Sequence, residues 1–237
     1  MAEPETSRWR ELRRRVRGPV VQEWVVEAND GIIATAGLLE GFAGAGAGDQ
    51  LLITAALAAT IAGALSVGGA KWSEAATERD SQLATVAYEQ QRLASDPEAE
   101  LAELAGHYVE RGLTPELAQE VAEQLHARDP LAAQLETEYG IDDIPPARAP
   151  LLTGLGAGIS FAVGSSIPLL ITFVAPITLD ALAVLIAVVV SLTLTSIIVA
   201  RSAYLSVRRT IVRTLIVGLS TMGVSYVAGL ALLPPAG

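Results

Sequence analysis

Leu151 to Ala200 reads LLTGLGAGISFAVGSSIPLLITFVAPITLDALAVLIAVVVSLTLTSIIVA, a stretch with one acid, Asp180, and no base before Arg201. A helix rising about 1.5 Å per residue crosses a hydrocarbon core of roughly 30 Å with about 20 apolar residues. The stretch is therefore long enough for two crossings, and Ala175-Pro176 supplies the break between them. Working outward, three further segments qualify, so the predicted spans are 20–46, 51–76, 151–175, 178–200 and 210–233. They are separated by Gly-Ala-Gly-Asp at 46–49, by a long acidic insert, by Ala175-Pro176 and by a basic turn from Arg201 to Arg209.

The whole chain is 51% hydrophobic yet carries a net charge of -10. The two properties occupy different segments: residues 77–148 hold sixteen acids against five arginines. The reading is an all-α membrane protein of five transmembrane helices, with a helical domain inserted between the second and third. Its organisation is a basic N-terminus (1–19), helices one and two (20–76), the acidic insert (77–148) and helices three to five (149–237). Starting from an inside N-terminus, all sixteen basic residues fall on one side or at span ends facing it, so the positive-inside rule predicts N-terminus and insert in the cytoplasm and the C-terminus outside. The arginine run from Arg8 to Arg17 is followed by an apolar stretch interrupted by Glu23, Glu27 and Asp30, which reads as a retained helix and not as a signal peptide. Fifteen arginines against one lysine suggest a bacterial source, and hence a bacterial cell membrane.

Local signals divide the insert. Asp96-Pro97-Glu98, Thr114-Pro115-Glu116 and Asp129-Pro130 each pair an N-cap with proline at the first helical position, while Gly112 and Gly140 mark ends. Helices are predicted near 77–94, 97–111, 115–128 and 130–139. The first continues the second span, because no breaker lies between Gly69 and Leu93.

Ionisable groups inside a membrane are expensive and are functional candidates by default. Glu23, Glu27 and Asp30 stand at i, i+4 and i+7, on one helical face predicted to point away from lipid. With a span beginning near residue 20, Asp30 lies about 15 Å deep, close to the midplane. The stripe reads as a cation path. Glu23 and Glu27 also admit a plainer reading, as interfacial glutamates that snorkel or pair with Lys71. In the insert, Glu100 and Glu103 are neighbours on one helix face, His107 follows a turn later, and Glu89, Glu136 and Glu138 lie on flanking helices. Carboxylates with an imidazole suit Fe(II), Mn(II) or Zn(II). Spacing alone does not separate such a cluster from a solvated acidic face. With no cysteine, any metal ligand must be oxygen or imidazole.

These residues, in order, resemble the vacuolar iron transporter family and its bacterial relatives over nearly the whole chain. The resemblance rests on Ala28-Asn29-Asp30-Gly31-Ile32-Ile33-Ala34-Thr35, Ala62-Gly63-Ala64-Leu65-Ser66, Glu78-Arg79-Asp80 and Asp96-Pro97-Glu98-Ala99-Glu100-Leu101. It continues through Tyr108 to Leu113, Val121-Ala122-Glu123-Gln124-Leu125, and Ser160-Phe161 with Gly164 and Pro168. It implies a homodimer of five-helix protomers that moves Fe(II), and often Mn(II), out of the cytoplasm in exchange for protons. Asp30 matches the family's path-lining aspartate at the dimer interface, and Glu23 a carboxylate nearer the cytoplasmic mouth. Glu89, Glu100, Glu103 and Glu138 match glutamates of the cytoplasmic metal-binding domain. Five positions depart from the family: Val67 stands where a methionine is frequent, Ala59 and Arg92 where glutamates are common, and Gln134-Leu135 where a methionine pair is found. A path with carboxylates and no thioether is harder and shifts preference toward Mn(II).

The expected function is a divalent metal transporter with no permanent cofactor, whose partners are the metal ion, protons, the bilayer and a second copy. The alternative is a membrane metal-binding or regulatory protein that keeps the fold without conducting. No nucleophile elbow, P-loop or dinucleotide fingerprint points to an enzyme, and Glu103 to His107 has the wrong spacing for a di-iron pair. An acidic insert is a poor nucleic-acid binder.

Overall fold

The computed structural model describes the backbone of residues 5–174 and 180–232 and the side chains of 20–174 and 182–232. The side chains of the Arg8 to Arg17 run, the Ala175-Pro176 break and residues 234–237 lie outside that description. The elements are α1 (Glu5–Gly44), α2 (Asp49–Ser95), α3 (Pro97–Glu110), α4 (Pro115–Arg128), α5 (Pro130–Tyr139), α6 (Ala149–Val174), α7 (Asp180–Ser202) and α8 (Val207–Leu232). Among the described residues there is no strand. Among the described residues four helices, α2, α6, α7 and α8, are long and apolar enough to cross a membrane. Although α1 is long enough, its length is interrupted by Glu23, Glu27, Asp30 and Glu40. It begins at Glu5, well before the span start read at residue 20.

Two compact units are described, one from residues up to Trp72 together with Leu152 onward, the other Ser73–Leu151. In the first, α1, α7 and α8 pack on one another around Ile32 and Ala36, Val184, Val188 and Leu192, and Met222. The spacing of four along α7 sets one face inward for its whole length, ending in buried Ser196 and Ala200. Bilayer lipid is as apolar as these side chains, so close approach has to hold the helices together, and small residues permit it. A methyl group built on Gly229 would lie 2.0 Å from the Gly41 carbonyl oxygen, so α8 and α1 meet backbone to backbone.

Another such seam follows α6. A methyl on Gly164 would fall 1.9 Å from the Ala28 oxygen, and one on Gly31 2.1 Å from the Phe161 oxygen. On the α2 side, methyls on Gly154 and Gly158 would meet the Gly68 and Ala64 oxygens at 2.6 and 2.8 Å. Tryptophans close the same stretch: methyls on Gly156 and Gly154 would lie 2.9 Å from Trp24 Nε1 and 2.7 Å from Trp72 Cβ. Pro168 sits inside α6, where Thr172 Oγ1 donates to its carbonyl at 3.0 Å.

The second unit is built as its punctuation predicts. Asp96, Thr114 and Asp129 accept the N–H groups of Ala99, Leu117 and Ala132 at 3.1, 3.4 and 3.0 Å, each just ahead of a proline. Gly140, at φ 65, closes α5 in the left-handed conformation that favours glycine. Leu104 and Ala105 of α3, Ala122 of α4 and Ala133 of α5 form the core. Arg79 donates to the Pro145 oxygen at 2.8 Å and ties the returning segment to α2.

Candidate metal centre

In the first unit the three carboxylates of α1 part ways. Glu23 lies 3.9 Å from Lys71 Nζ, the pairing open to an interfacial glutamate. Glu27 is only 6% exposed, whereas Asp30 is exposed on the surface of the single chain. Glu27 is thus covered by its own chain, while Asp30 is not. Neighbours hold the Asp30 turn firmly. Gly31 and Ala28 abut the α6 backbone, Ser165 Oγ donates to the Gly31 carbonyl at 3.2 Å, and Thr35 one turn on is buried. Asn29 Oδ1, also buried, has no hydrogen-bond partner. Val67 and Ala59 bring no ligand atom to the unit.

The second unit gathers most of the predicted carboxylates. Glu89 of α2 is 0% exposed and Glu100 of α3 2% exposed. Tyr139 Oη donates to Glu89 Oε1 at 2.9 Å, and Gln134 Nε2 donates to the Glu100 carbonyl at 2.6 Å and to its Oε2 at 3.3 Å. Beside them sits Arg92. Its guanidinium is hydrogen-bonded to Glu103, 2.7 Å from Glu100 Oε1 and 3.7 Å from Glu89 Oε1, and 5.7 Å from the centre of the Tyr88 ring. Glu103, His107 and Glu138 each offer a ligand atom, all within 4.8 Å of one another. Glu136 stands apart: two residues from Glu138 on a helix, it is exposed while Glu138 is partly buried.

Electrostatics follow from that packing. Burial pushes the Glu100 carboxyl above the usual range, against the pull of Arg92. The bond to Glu103, aided by the charges of Glu100 and Glu89, raises Arg92 further, so this cation is permanent. Burial raises the Tyr139 phenol, and the neighbouring carboxylates of Glu138 and Glu89 raise it more, so it stays the neutral donor to Glu89. Several acceptors are left over: Glu89 Oε2, Glu138 Oε2 and His107 Nε2 are buried with no hydrogen-bond partner. Buried lone pairs normally find a donor or an ion. Partly buried carboxylates and an imidazole are a donor set for Fe(II), Mn(II) or Zn(II).

Tyr139 carries no signal of its own in the sequence, and Gln134 stands out there only as a departure. Both lie within a turn of Glu138, which was the one available signal. Their roles depend on which helix α5 packs against.

A family model described as the VIT family matches residues 21–230. The chain is 40% identical over 147 residues to a vacuolar iron transporter of Acanthamoeba castellanii, covering 62% of this chain and 53% of that protein. It is 30% identical over 167 residues to vacuolar iron transporter 1 of Arabidopsis thaliana, covering 69% and 66%. For vacuolar iron transporter 2 of Oryza sativa subsp. japonica, the figures are 31% over 155 residues, 65% and 63%. The matches thus span between about half and two thirds of these relatives' lengths.

Proposed function

The chain belongs to the VIT family, and from that membership we propose that it carries divalent metal ions, Fe(II) or Mn(II), out of the cytoplasm in exchange for protons. The family is one of transporters and not of enzymes. With four apolar helices of spanning length, the chain is a multi-pass membrane protein. A fifth span, α1, is supported by the core it shares with α7 and α8 through Ile32 and Ala36. The distribution of basic residues supports an inside N-terminus and a cytoplasmic second unit (Ser73–Leu151).

The observation that carries the reading is Asp30: a carboxylate at mid-helix, exposed on a protomer whose turn is locked against α6. Facing lipid, it would cost about 2.5–3.5 kcal/mol. A second copy covering this face of α1 removes that cost and lines a path with two aspartates, each able to bind a divalent ion or a proton. Glu27 and Glu23 continue the path toward the cytoplasmic mouth. In the second unit Glu103, His107 and Glu138 take up the ion before transport, with Glu89 and Glu100 behind them. The absence of a thioether at Val67 favours Mn(II) over Fe(II).

Proteoliposomes under an imposed proton gradient test this directly. Mn(II) and Fe(II) flux is expected in the wild type, falling to the level of empty liposomes in Asp30→Asn; an active variant removes Asp30 from the path. A second reading, a metal-binding membrane protein that does not conduct, is favoured by Arg92 among the carboxylates and by Ala59 and Val67. Binding without flux in the same preparation identifies it.

A further inference from the structure

We infer that Arg92 is a resident cation of the second unit: its guanidinium takes the place of one metal ion among Glu89, Glu100 and Glu103, and leaves the cluster a single open position at Glu103, His107 and Glu138. The inference deepens the metal-binding reading of this unit and rests on it. Glu89 and Glu100 have 0% and 2% of their surface exposed. Buried carboxylates without a counter-charge are strongly destabilising, so two of them side by side demand a cation. Arg92 is that cation. It reaches both, and Glu103 as well, from a position one turn after Glu89 on the same helix. A guanidinium suits the place because its planar fork offers five N–H groups in fixed directions and does not lose its proton at any working pH.

What Arg92 does not satisfy defines the remainder. Glu138 Oε2 and His107 Nε2 stay buried without partners, and both residues belong to the trio whose ligand atoms lie within 4.8 Å of one another. Glu89 Oε2 is likewise unpartnered in a side chain with no exposed surface. Glu103 is the shared member: bonded to Arg92, it is also one of the three ligands. An arriving ion therefore competes with the guanidinium for one carboxylate and meets its positive charge across that carboxylate. The consequences are an occupancy of one ion, a weakened affinity, and a unit that folds without metal because its buried charge is already compensated.

The test uses the full-length chain in detergent with Mn(II) as the probe and Mg(II) as the control. Free Mn(II) is counted by its paramagnetic resonance signal, and hydrogen exchange of residues 97–139 reports local stability. Glu138→Gln addresses the open position without touching Arg92, and it is expected to remove one equivalent of bound Mn(II). Retention of that equivalent overturns the metal-binding reading itself. Arg92→Gln is expected to bind Mn(II) about tenfold more tightly, the size of one charge acting through a partly wet site. It is also expected to lose exchange protection without metal and regain it with Mn(II) but not with Mg(II). Arg92→Glu is expected to gain a second equivalent. If Glu138→Gln loses its equivalent while neither Arg92 variant gains affinity, occupancy or metal-restored protection, the resident-cation inference fails and the metal site stands. Protection lost in Arg92→Gln and not restored by Mn(II) reduces Arg92 to a structural ion pair, and also overturns the inference.

Discussion

Gly164 and Gly69 set out the steric rule of the first unit at the scale of one methyl group. On Gly164 that methyl would stand 1.9 Å from the Ala28 carbonyl oxygen, a backbone atom with no flexible end to move aside, whereas on Gly69 it would meet nothing within 4 Å. Gly164→Ala is therefore expected to force α6 from α1 at a cost of about 1–3 kcal/mol, the usual range for overpacking. Gly69→Ala is expected to be neutral. Thermal aggregation of the two variants in detergent, followed by size-exclusion chromatography, checks the contrast; equal stability would show that α6 does not sit this close. Because Gly164 packs on Ala28, two residues before Asp30, Gly164→Ala is also expected to reduce flux at an unchanged Asp30. The sequence showed Gly164 as a small residue of a helix interface and could not show which backbone it met. Asp30 was similarly legible in part. Its charge within a long helix was visible, while its exposure, against the burial of Glu27 three positions earlier, depends on where α6 and α8 lie around α1.

At the scale of elements, the second unit was the most legible region, since its boundaries are written by local chemistry. Pro97, Pro115 and Pro130 each open their helix as predicted, and the observed ends fall at Glu110, Arg128 and Tyr139. One residue, Asp129, both ends α4 and caps α5, with its oxygen on Ala132 N–H at 3.0 Å. Asp129→Ala is expected to destabilise the pair by about 1 kcal/mol, the typical value of an N-cap. The check is faster amide exchange in 115–139 with no change in the rest of the chain. Arg92 marks the limit of this legibility. Its charge was visible in the sequence, and so was each glutamate, but pairing them required α3 to pack beside α2 at one register.

On the scale of the whole molecule, the proposed path needs a second copy over the exposed Asp30. Ala34 lies one turn beyond it and is exposed too. The chain has no cysteine, so a single Ala34→Cys offers a clean reporter. A short bis-maleimide is expected to link two copies in the membrane at low protein density. Monomers only, with the cysteine shown to be reactive, would leave Asp30 facing lipid and remove the dimeric path.

Trp24 and Trp72, two of the chain's three tryptophans, come from different helices and both end beside the glycines of α6, at Gly156 and Gly154. Their ultraviolet emission samples a patch less than one helical turn long. With both indoles about half exposed, a small sliding of α6 alters their quenching and wavelength together. Once Trp9 is replaced, the protein carries a native optical gauge at this end of the α6 seam, and movement there is open to stopped-flow fluorescence with no label attached.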